Sequence, residues 1–361
     1  MLIDLIAGAR PNFMKIAPII RAIRNHPNKV IQFRLIHTGQ HYDRNMSDRF
    51  FEQLGIPEPD VNLGAGGGSQ AEQTAAIMVG YEKVLMEKPS DLCLVVGDVT
   101  SSMACAITAQ KMKIKVAHVE AGIRSGDWSM PEEINRMVTD AITNYFFTTS
   151  DVANANLNKA GVAENNVFFV GNTMIDTLLF HRKEFIKPDI WDQVGLEIGN
   201  YFVLTLHRPS NVDEEYKLKD LISEILNHTK NLPLIFPVHP RTAKILEALE
   251  ISHPRLHFVE PLGYLEFNYL VERSLAVITD SGGITEETTV LGIPCMTLRD
   301  STERPETVTM GTNELLGTDP KAIGPAMEIL FSGKWKKGGI PPLWDGKTAE
   351  RIVEQLQQIL I

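Results

Sequence analysis

A chain of 361 residues, 43% hydrophobic and 22% charged, exceeds one ordinary hydrophobic core and suits two globular domains of roughly 150–200 residues each. Its net charge of −10 argues against a general nucleic-acid or anionic-membrane surface, which would need an excess of Lys and Arg, but leaves room for a local basic pocket. The three cysteines, Cys93, Cys105 and Cys295, are scattered and odd in number, which fits a reducing compartment and offers neither a disulfide framework nor a metal cluster.

At the N-terminus, Arg10, Pro11, Asn12 and Lys15 interrupt the first apolar run, against a signal peptide. No later run reaches the roughly 18–20 apolar residues of a bilayer crossing, so the expected location is cytoplasmic. In chain order, short apolar runs alternate with longer helical patterns, as in parallel sheets covered by helices. The first half predicts strands at Leu2–Ala7, Gln32–Thr38, Leu92–Val96, Lys115–Val119, Tyr145–Thr148 and Val167–Val170. Helices are predicted at Pro18–Arg24, Gln70–Leu85 and Ala104–Lys111. The charged segment from about Phe180 to Gly199, which carries Pro188, is read as the domain connection. A second strand series covers Tyr201–Leu206, Pro233–Pro237, His257–Phe258, Ala276–Thr279 and Cys295–Leu298, with helices at Leu218–His228 and Glu286–Leu291. Apolar 3-4 spacing makes Ala349–Ile361 a terminal helix. The expected fold class is α/β, with two doubly wound Rossmann-like domains facing a cleft. The N-terminal domain would span 1–180 and the C-terminal domain 181–345, with a helix over 346–361 packing back toward the first.

Functional residues in such folds follow strands. Gly8-Ala9-Arg10-Pro11 follows the first, with Lys15 beyond it; the glycine permits a tight turn, and Arg10 and Lys15 can donate to a phosphate. A plain strand-to-helix turn with solvated charges reads the same way. Asp280-Ser281-Gly282-Gly283 follows Ala276–Thr279 and precedes a helix, where glycine backbone N–H groups and the helix end favour an anion. Glu286 and Glu287 read as a first-turn carboxylate pair able to reach ribose hydroxyls. An ordinary cap is the bland alternative. Arg299-Asp300-Ser301-Thr302-Glu303-Arg304-Pro305-Glu306 brings more charge to the same edge. There is no Walker lysine motif and no G-x-G-x-x-G.

Carboxylates concentrate between Asp98 and Glu133. Gly97-Asp98 follows one strand and His118-Val119-Glu120 ends the next, then come Arg124, Asp127 and Pro131-Glu132-Glu133-Ile134-Asn135-Arg136. Gathered in one cleft, such groups repel and lose solvent, which moves their pKa values toward working pH. Helix-start capping behind Pro131 accounts for one of Glu132 and Glu133. His207 and His239 each end a strand of the second half, as functional or as structural histidines. Neither a metal-ligand spacing nor a G-x-S-x-G nucleophile turn occurs, so no metal is expected.

Taken together, these blocks resemble the non-hydrolysing UDP-N-acetylglucosamine 2-epimerases: Gly8-Ala9-Arg10-Pro11 with Lys15, Thr38-Gly39-Gln40-His41, Gly97-Asp98, His118 to Arg124, Pro131 to Arg136, Gly171-Asn172-Thr173, His207-Arg208, Asp280 to Ile284, and Thr302 to Glu306. The resemblance implies a glycosyltransferase-B type fold, a homodimer, and UDP held mainly by the C-terminal domain. By it, Asp98, Glu120, Glu132 and His207 are catalytic, with base and acid among the carboxylates left open. Phe267 would lie against uracil, Ser281, Gly282 and Gly283 would hold the diphosphate, and Glu287 the ribose. Arg10, Lys15 and Arg304 would complete the substrate site. The implied reaction eliminates UDP across carbons 1 and 2 of the sugar and adds it back through a glycal, without a cofactor.

One departure is visible. Relatives with an activating substrate site carry a Gln-His-Arg block and a later arginine, whereas Gln40-His41 is followed here by Tyr42 and Asp43, and Gly64–Gly68 sits where the later contact would fall. Weak or absent activation by substrate is expected. Rival readings are an epimerase of a UDP-diacetamido-uronic acid, a hydrolysing epimerase, a glycosyltransferase of the same fold, and a UDP-sugar sensor.

Overall fold

The structure, a computed structural model, describes residues 1–39, 53–212, 215–238, 246 and 251–360. Its packing divides the chain into two units, one of Met1–Phe180 with Pro342–Ile361 and one of His181–Pro341. Both are α/β.

In the first unit, seven parallel strands lie in the order β3-β2-β1-β4-β5-β6-β7. They are β1 (Leu2–Ala7), β2 (Gln32–His37), β3 (Val61–Asn62), β4 (Leu92–Val96), β5 (Lys115–Val119), β6 (Tyr145–Thr148) and β7 (Val167–Phe169). Helices α1 (Arg10–Asn25), α2 (Gln70–Glu87), α3 (Thr100–Lys111), α4 (Pro131–Ala141) and α5 (Asp151–Lys159) lie between them, and α6 (Thr173–His181) follows β7. Sheets covered on both faces need continuous apolar strands, and Leu92–Val96 is buried at every position.

Helix α1 starts eight residues before its predicted start. Pro11 is its second residue, in the first turn, and Pro18 lies inside the helix. A proline there has no N–H for the carbonyl four residues back, which is Met14. Thr177 Oγ1, from α6, donates to Met14 O at 2.6 Å instead. Helix α3 likewise begins at Thr100 rather than Ala104. Its first turn, Thr100-Ser101-Ser102, has weak helix propensity but is buried.

The second unit has six parallel strands in the order β10-β9-β8-β11-β12-β13. They are β8 (Phe202–Thr205), β9 (Leu234–Pro237), β10 (Leu256–Val259), β11 (Ala276–Thr279), β12 (Cys295–Thr297) and β13 (Asn313–Leu315). Its helices are α7 (Ile190–Val194), α8 (Pro209–Val212), α9 (Glu215–His228), α10 (Tyr264–Arg273), α11 (Gly282–Leu291), α12 (Pro305–Thr309) and α13 (Ile323–Phe331). The segment after Phe180 is part of this unit: Leu196 is buried, and Trp191 packs edge-on against Tyr201 at 5.7 Å. Helix α11 begins at Gly282, so Glu286 and Glu287 are not on its first turn, which holds no acidic residue. That corrects the expected first-turn carboxylate pair.

Helix α14 (Thr348–Leu360) belongs to the first unit. Asp176 caps its start by accepting from Thr348 N at 3.1 Å and Ala349 N at 2.7 Å. Trp344, fully buried, donates from Nε1 to Thr149 O at 3.1 Å.

In each sheet the connections leave in opposite directions from one neighbouring pair of strands: β1 and β4 in the first, β8 and β11 in the second. The carboxyl ends of such pairs are where doubly wound sheets bind ligands.

Candidate functional site

At the first switch point Asn12 ties the two strand ends. Its Oδ1 accepts from Gly8 N at 3.3 Å and Ala9 N at 3.0 Å, while Nδ2 donates to Val96 O at 2.9 Å. One turn on, Lys15 Nζ meets Glu120 Oε2 at 2.7 Å, both side chains largely buried. Glu120 has φ 70°, the left-handed region that disfavours any residue with a Cβ. Strain of that kind persists where surroundings over-determine it, often at working sites. Gly97, φ 66°, lies against this pair: a Cβ there would come 3.2 Å from Lys15 Nζ and 3.6 Å from Glu120 Oε2.

Asp98 stays partly exposed, its carboxylate gripped by Arg136 Nη2 and its carbonyl accepting from Asn135 Nδ2 at 2.9 Å. The neighbouring glutamates of α4 separate into two kinds. Glu133 is buried and accepts from Ser125 N at 2.9 Å, Gly126 N at 3.0 Å and Arg136 Nη1 at 2.7 Å. Burial opposes its charge, but the donors from Ser125, Arg136 and Gly126 outweigh it and hold the carboxyl below the usual range. Glu133 thus fastens the loop. Glu132 is half-buried on the first turn and makes no hydrogen bond or ion pair among the described residues. Behind the strand ends, His118 Nε2 meets Gly97 O at 3.0 Å and Nδ1 meets Asp140 Oδ1 at 2.7 Å. Asp140 also takes Arg124 Nη1 at 2.7 Å. Lys15, Asp98 and Glu120 therefore gather around Gly97, and α4 supplies both Glu132 and the residues that hold Asp98.

At the second switch point, fully buried Asp280 accepts from His207 N at 3.0 Å, Arg208 N at 2.9 Å and Asn211 Nδ2 at 3.1 Å. His207 Nδ1 lies 2.8 Å from Asp280 Oδ1, with the His207 side chain 56% exposed. A carboxylate only accepts, so Nδ1 carries the hydrogen and Nε2 is left for a ligand. Burial opposes the Asp280 charge, but His207, Arg208 and Asn211 outweigh it and lower its pKa.

Ser281 is the N-cap of α11, and its side chain makes no capping bond. The first-turn N–H groups of Gly282 and Gly283 therefore face an end of the helix that favours an anion. Phe267 on α10 and Ile284 of α11 are both partly buried against the core that includes Leu270 and Val277. Glu287 is buried and accepts from Tyr264 Oη at 2.8 Å. Burial, with Glu286 adding repulsion, pushes its carboxyl up to about 7 against the Tyr264 hydrogen bond. Arg304 pairs through Nε with buried Glu286 at 2.6 Å.

Of Arg10 only the backbone, at the start of α1, is described; Gln40, His41, Tyr42, Asp43 and His239 lie outside the described residues. Within Gly64–Gly68, Gly66 has a packing reason: a Cβ there would come 2.4 Å from Gly39 O. A cavity of about 740 Å³ opens in the first unit beside Arg21, His26, Asp176 and Glu354, and holds none of the candidate residues. Sequence reasoning missed the supports Asn12, Asp280, Arg136 and Tyr264 as part of the site. Asp280 stood inside a quoted motif, but nothing in the sequence ties it to His207, 73 residues away.

A profile described as UDP-N-acetylglucosamine 2-epimerase matches residues 21–357. A UDP-N-acetylglucosamine 2-epimerase of Methanocaldococcus jannaschii is 42% identical over 99% of this chain and 99% of its own. A UDP-2,3-diacetamido-2,3-dideoxy-D-glucuronate 2-epimerase of Pseudomonas aeruginosa is 39% identical over 99% of this chain and 100% of its own. The crystal structure of the M. jannaschii UDP-GlcNAc 2-epimerase in complex with UDP-GlcNAc and UDP matches with a TM-score of 0.89 at 41% identity, covering 99% of this chain and 100% of that one.

Proposed function

Because this chain belongs to the UDP-N-acetylglucosamine 2-epimerase family, we propose that it interconverts UDP-N-acetylglucosamine and UDP-N-acetylmannosamine without hydrolysing either. The observation that carries this reading is the gathering of Lys15, Asp98 and Glu120 around Gly97, with Glu120 held in a left-handed backbone conformation.

Carbon 2 of the sugar is not next to a carbonyl, so its proton cannot be removed alone at reasonable cost. In the proposed route a carboxylate among Asp98, Glu120 and Glu132 takes that proton. The bond between carbon 1 and the diphosphate oxygen breaks, its electron pair leaving with UDP, and a carbon 1–carbon 2 double bond forms. A proton then arrives on the other face of carbon 2, and the diphosphate oxygen returns to carbon 1. UDP is assigned to the second unit: Phe267 against uracil, Glu287 on the ribose, and Ser281, Gly282 and Gly283 on the diphosphate. His207, oriented by Asp280, and the charges of Arg10 and Arg304 stabilise the departing diphosphate. Lys15 holds Glu120 in place through their ion pair. The route requires neither a nicotinamide nor a metal.

The reading includes a homodimer in the cytoplasm. Cys93, Cys105 and Cys295 are buried free thiols, which supports a reducing compartment. Among the described residues no helix is long and apolar enough to cross a membrane.

Proton NMR of the protein with UDP-N-acetylglucosamine in deuterated water, nothing else added, tests the reaction. UDP-N-acetylmannosamine carrying deuterium at carbon 2 is the expected product. Free N-acetylmannosamine with UDP would replace the reading by a hydrolysing epimerase, and no turnover would replace the substrate by the diacetamido-uronic acid analogue. Asp98→Asn is expected to slow deuterium uptake; unchanged uptake removes Asp98 from the base role.

A further inference from the structure

Arg299 follows β12 and is 5% exposed. Its Nη2 donates to Glu303 Oε2 at 2.6 Å, and Arg208 Nη2 lies 4.0 Å from Glu303 Oε1. Two guanidinium groups thus face one carboxylate. The other end of the guanidinium, Nη1, is buried and has no hydrogen-bond partner among the described residues. Arginine stays charged in proteins, and native structures keep a buried charged donor without an acceptor only for a reason. The reason lies next to it. A Cβ on Gly282, the first residue of α11, would sit 3.7 Å from Arg299 Nη1 and 2.8 Å from Glu303 Oε1. The helix end and the unpartnered donor therefore meet at one point, and α11 has neither a side-chain cap nor a first-turn acid of its own there.

We propose that Arg299 is a diphosphate-binding residue: Nη1 donates to an oxygen of the UDP diphosphate held at the N-terminus of α11, while Glu303 fixes the opposite edge of the guanidinium. The inference rests on the reading of α11 as the diphosphate cradle. It differs from the roles expected of Arg10 and Arg304. The side chain of Arg304 is already engaged by Glu286, whereas the planar fork of Arg299 can serve an internal carboxylate and an external phosphate together.

Binding of UDP and of uridine, measured by titration calorimetry on the full chain, separates a phosphate contact from general damage. Removing the arginine alone strands Glu303, so the variants are Arg299→Lys, which keeps that pair, and the double variant Arg299→Met with Glu303→Gln. Each is expected to lose about tenfold to hundredfold in UDP affinity while uridine binding holds, the effect of one charged hydrogen bond. A folded variant of either kind that keeps the wild-type preference for UDP over uridine overturns the role of Arg299. Gly282→Asp, which puts a carboxylate on the same helix end, should also lose UDP. If it does not, the cradle reading itself fails, whatever the arginine variants do.

Discussion

The two switch points are built from opposite electrostatic logic. In the first unit the carboxylates Asp98 and Glu120 already have cations in place, Arg136 and Lys15. In the second, among the described residues, donors stand without side-chain acceptors: the first turn of α11 has no side-chain cap, and Arg299 Nη1 has no hydrogen-bond partner. A group that moves protons must be held at a fixed position before substrate arrives, which paired cations achieve. A group that holds an anion does the reverse and leaves its donors open for the ligand to satisfy. The proposed division of labour between proton transfer and leaving-group binding matches which side of each ion pair the protein supplies.

The largest effect should come from breaking the first half. Glu120→Gln keeps shape and removes the charge that Lys15 holds. Turnover should fall by about 10²–10⁴, the usual worth of a general acid or base. UDP affinity, assigned to the other unit, should hardly change. Turnover within about tenfold of wild type would take Glu120 out of proton transfer; a matching collapse of UDP affinity would erase the division between the units.

This contrast was only half legible in the sequence. Strands such as Leu92–Val96 and Ala276–Thr279 were readable because both-face burial writes itself as unbroken apolar runs. The positions just after them drew attention for the same reason. Helix starts were readable only in part: Gln70 and Pro131 were, but others were not. Those of α3 and α11 begin with Thr-Ser-Ser and Gly-Gly, poor helix formers held by tertiary packing or left open at the site. Strand β13, three residues with Asn313 and Glu314 among them, has no apolar signature. Least legible were the partners. Glu132 and Glu133 are identical in type and adjacent, and only the loop at Ser125 and Gly126 separates their roles. Arg299 and Arg304 look alike in a charged run, and only Glu286 and Glu303 distinguish what each has left to offer.

A second prediction concerns the cost of the open half. Glu287 has its carboxyl pushed up from 4.5 to about 7 by burial. The folded chain therefore keeps a proton that the unfolded chain has lost between those values. Stability must fall as pH rises through that window, with the full penalty present above the folded pKa. Glu287→Gln removes the titration while retaining an oxygen for Tyr264 Oη. Between pH 5 and 8, urea unfolding should show wild type losing about 2–3 kcal/mol relative to this variant. Parallel pH profiles for the two proteins would show that Glu287 is charged without penalty.

The smallest effect compares one glycine from each switch point. Both follow a strand and neither has a positive φ, so space alone decides. A Cβ on Gly8 would come 1.9 Å from Ser101 Oγ and 2.6 Å from Ser101 Cβ. Ser101 is fully buried and bonded through Oγ to Thr38 Oγ1 at 2.7 Å, so α3 itself would have to shift. Gly8→Ala should cost about 1–3 kcal/mol by overpacking. The Cβ on Gly282 meets only Glu303 Oε1 under 3.0 Å, the far end of a flexible side chain, and Arg299 Nη1 beyond it. Those atoms can withdraw, and alanine gains a few tenths of a kcal/mol by restricting the unfolded chain, so Gly282→Ala should change stability by less than about 1 kcal/mol. Thermal melts of both variants decide the matter. Equal losses would mean that the second switch point is packed as rigidly as the first, and that its donors are not poised to rearrange around an anion.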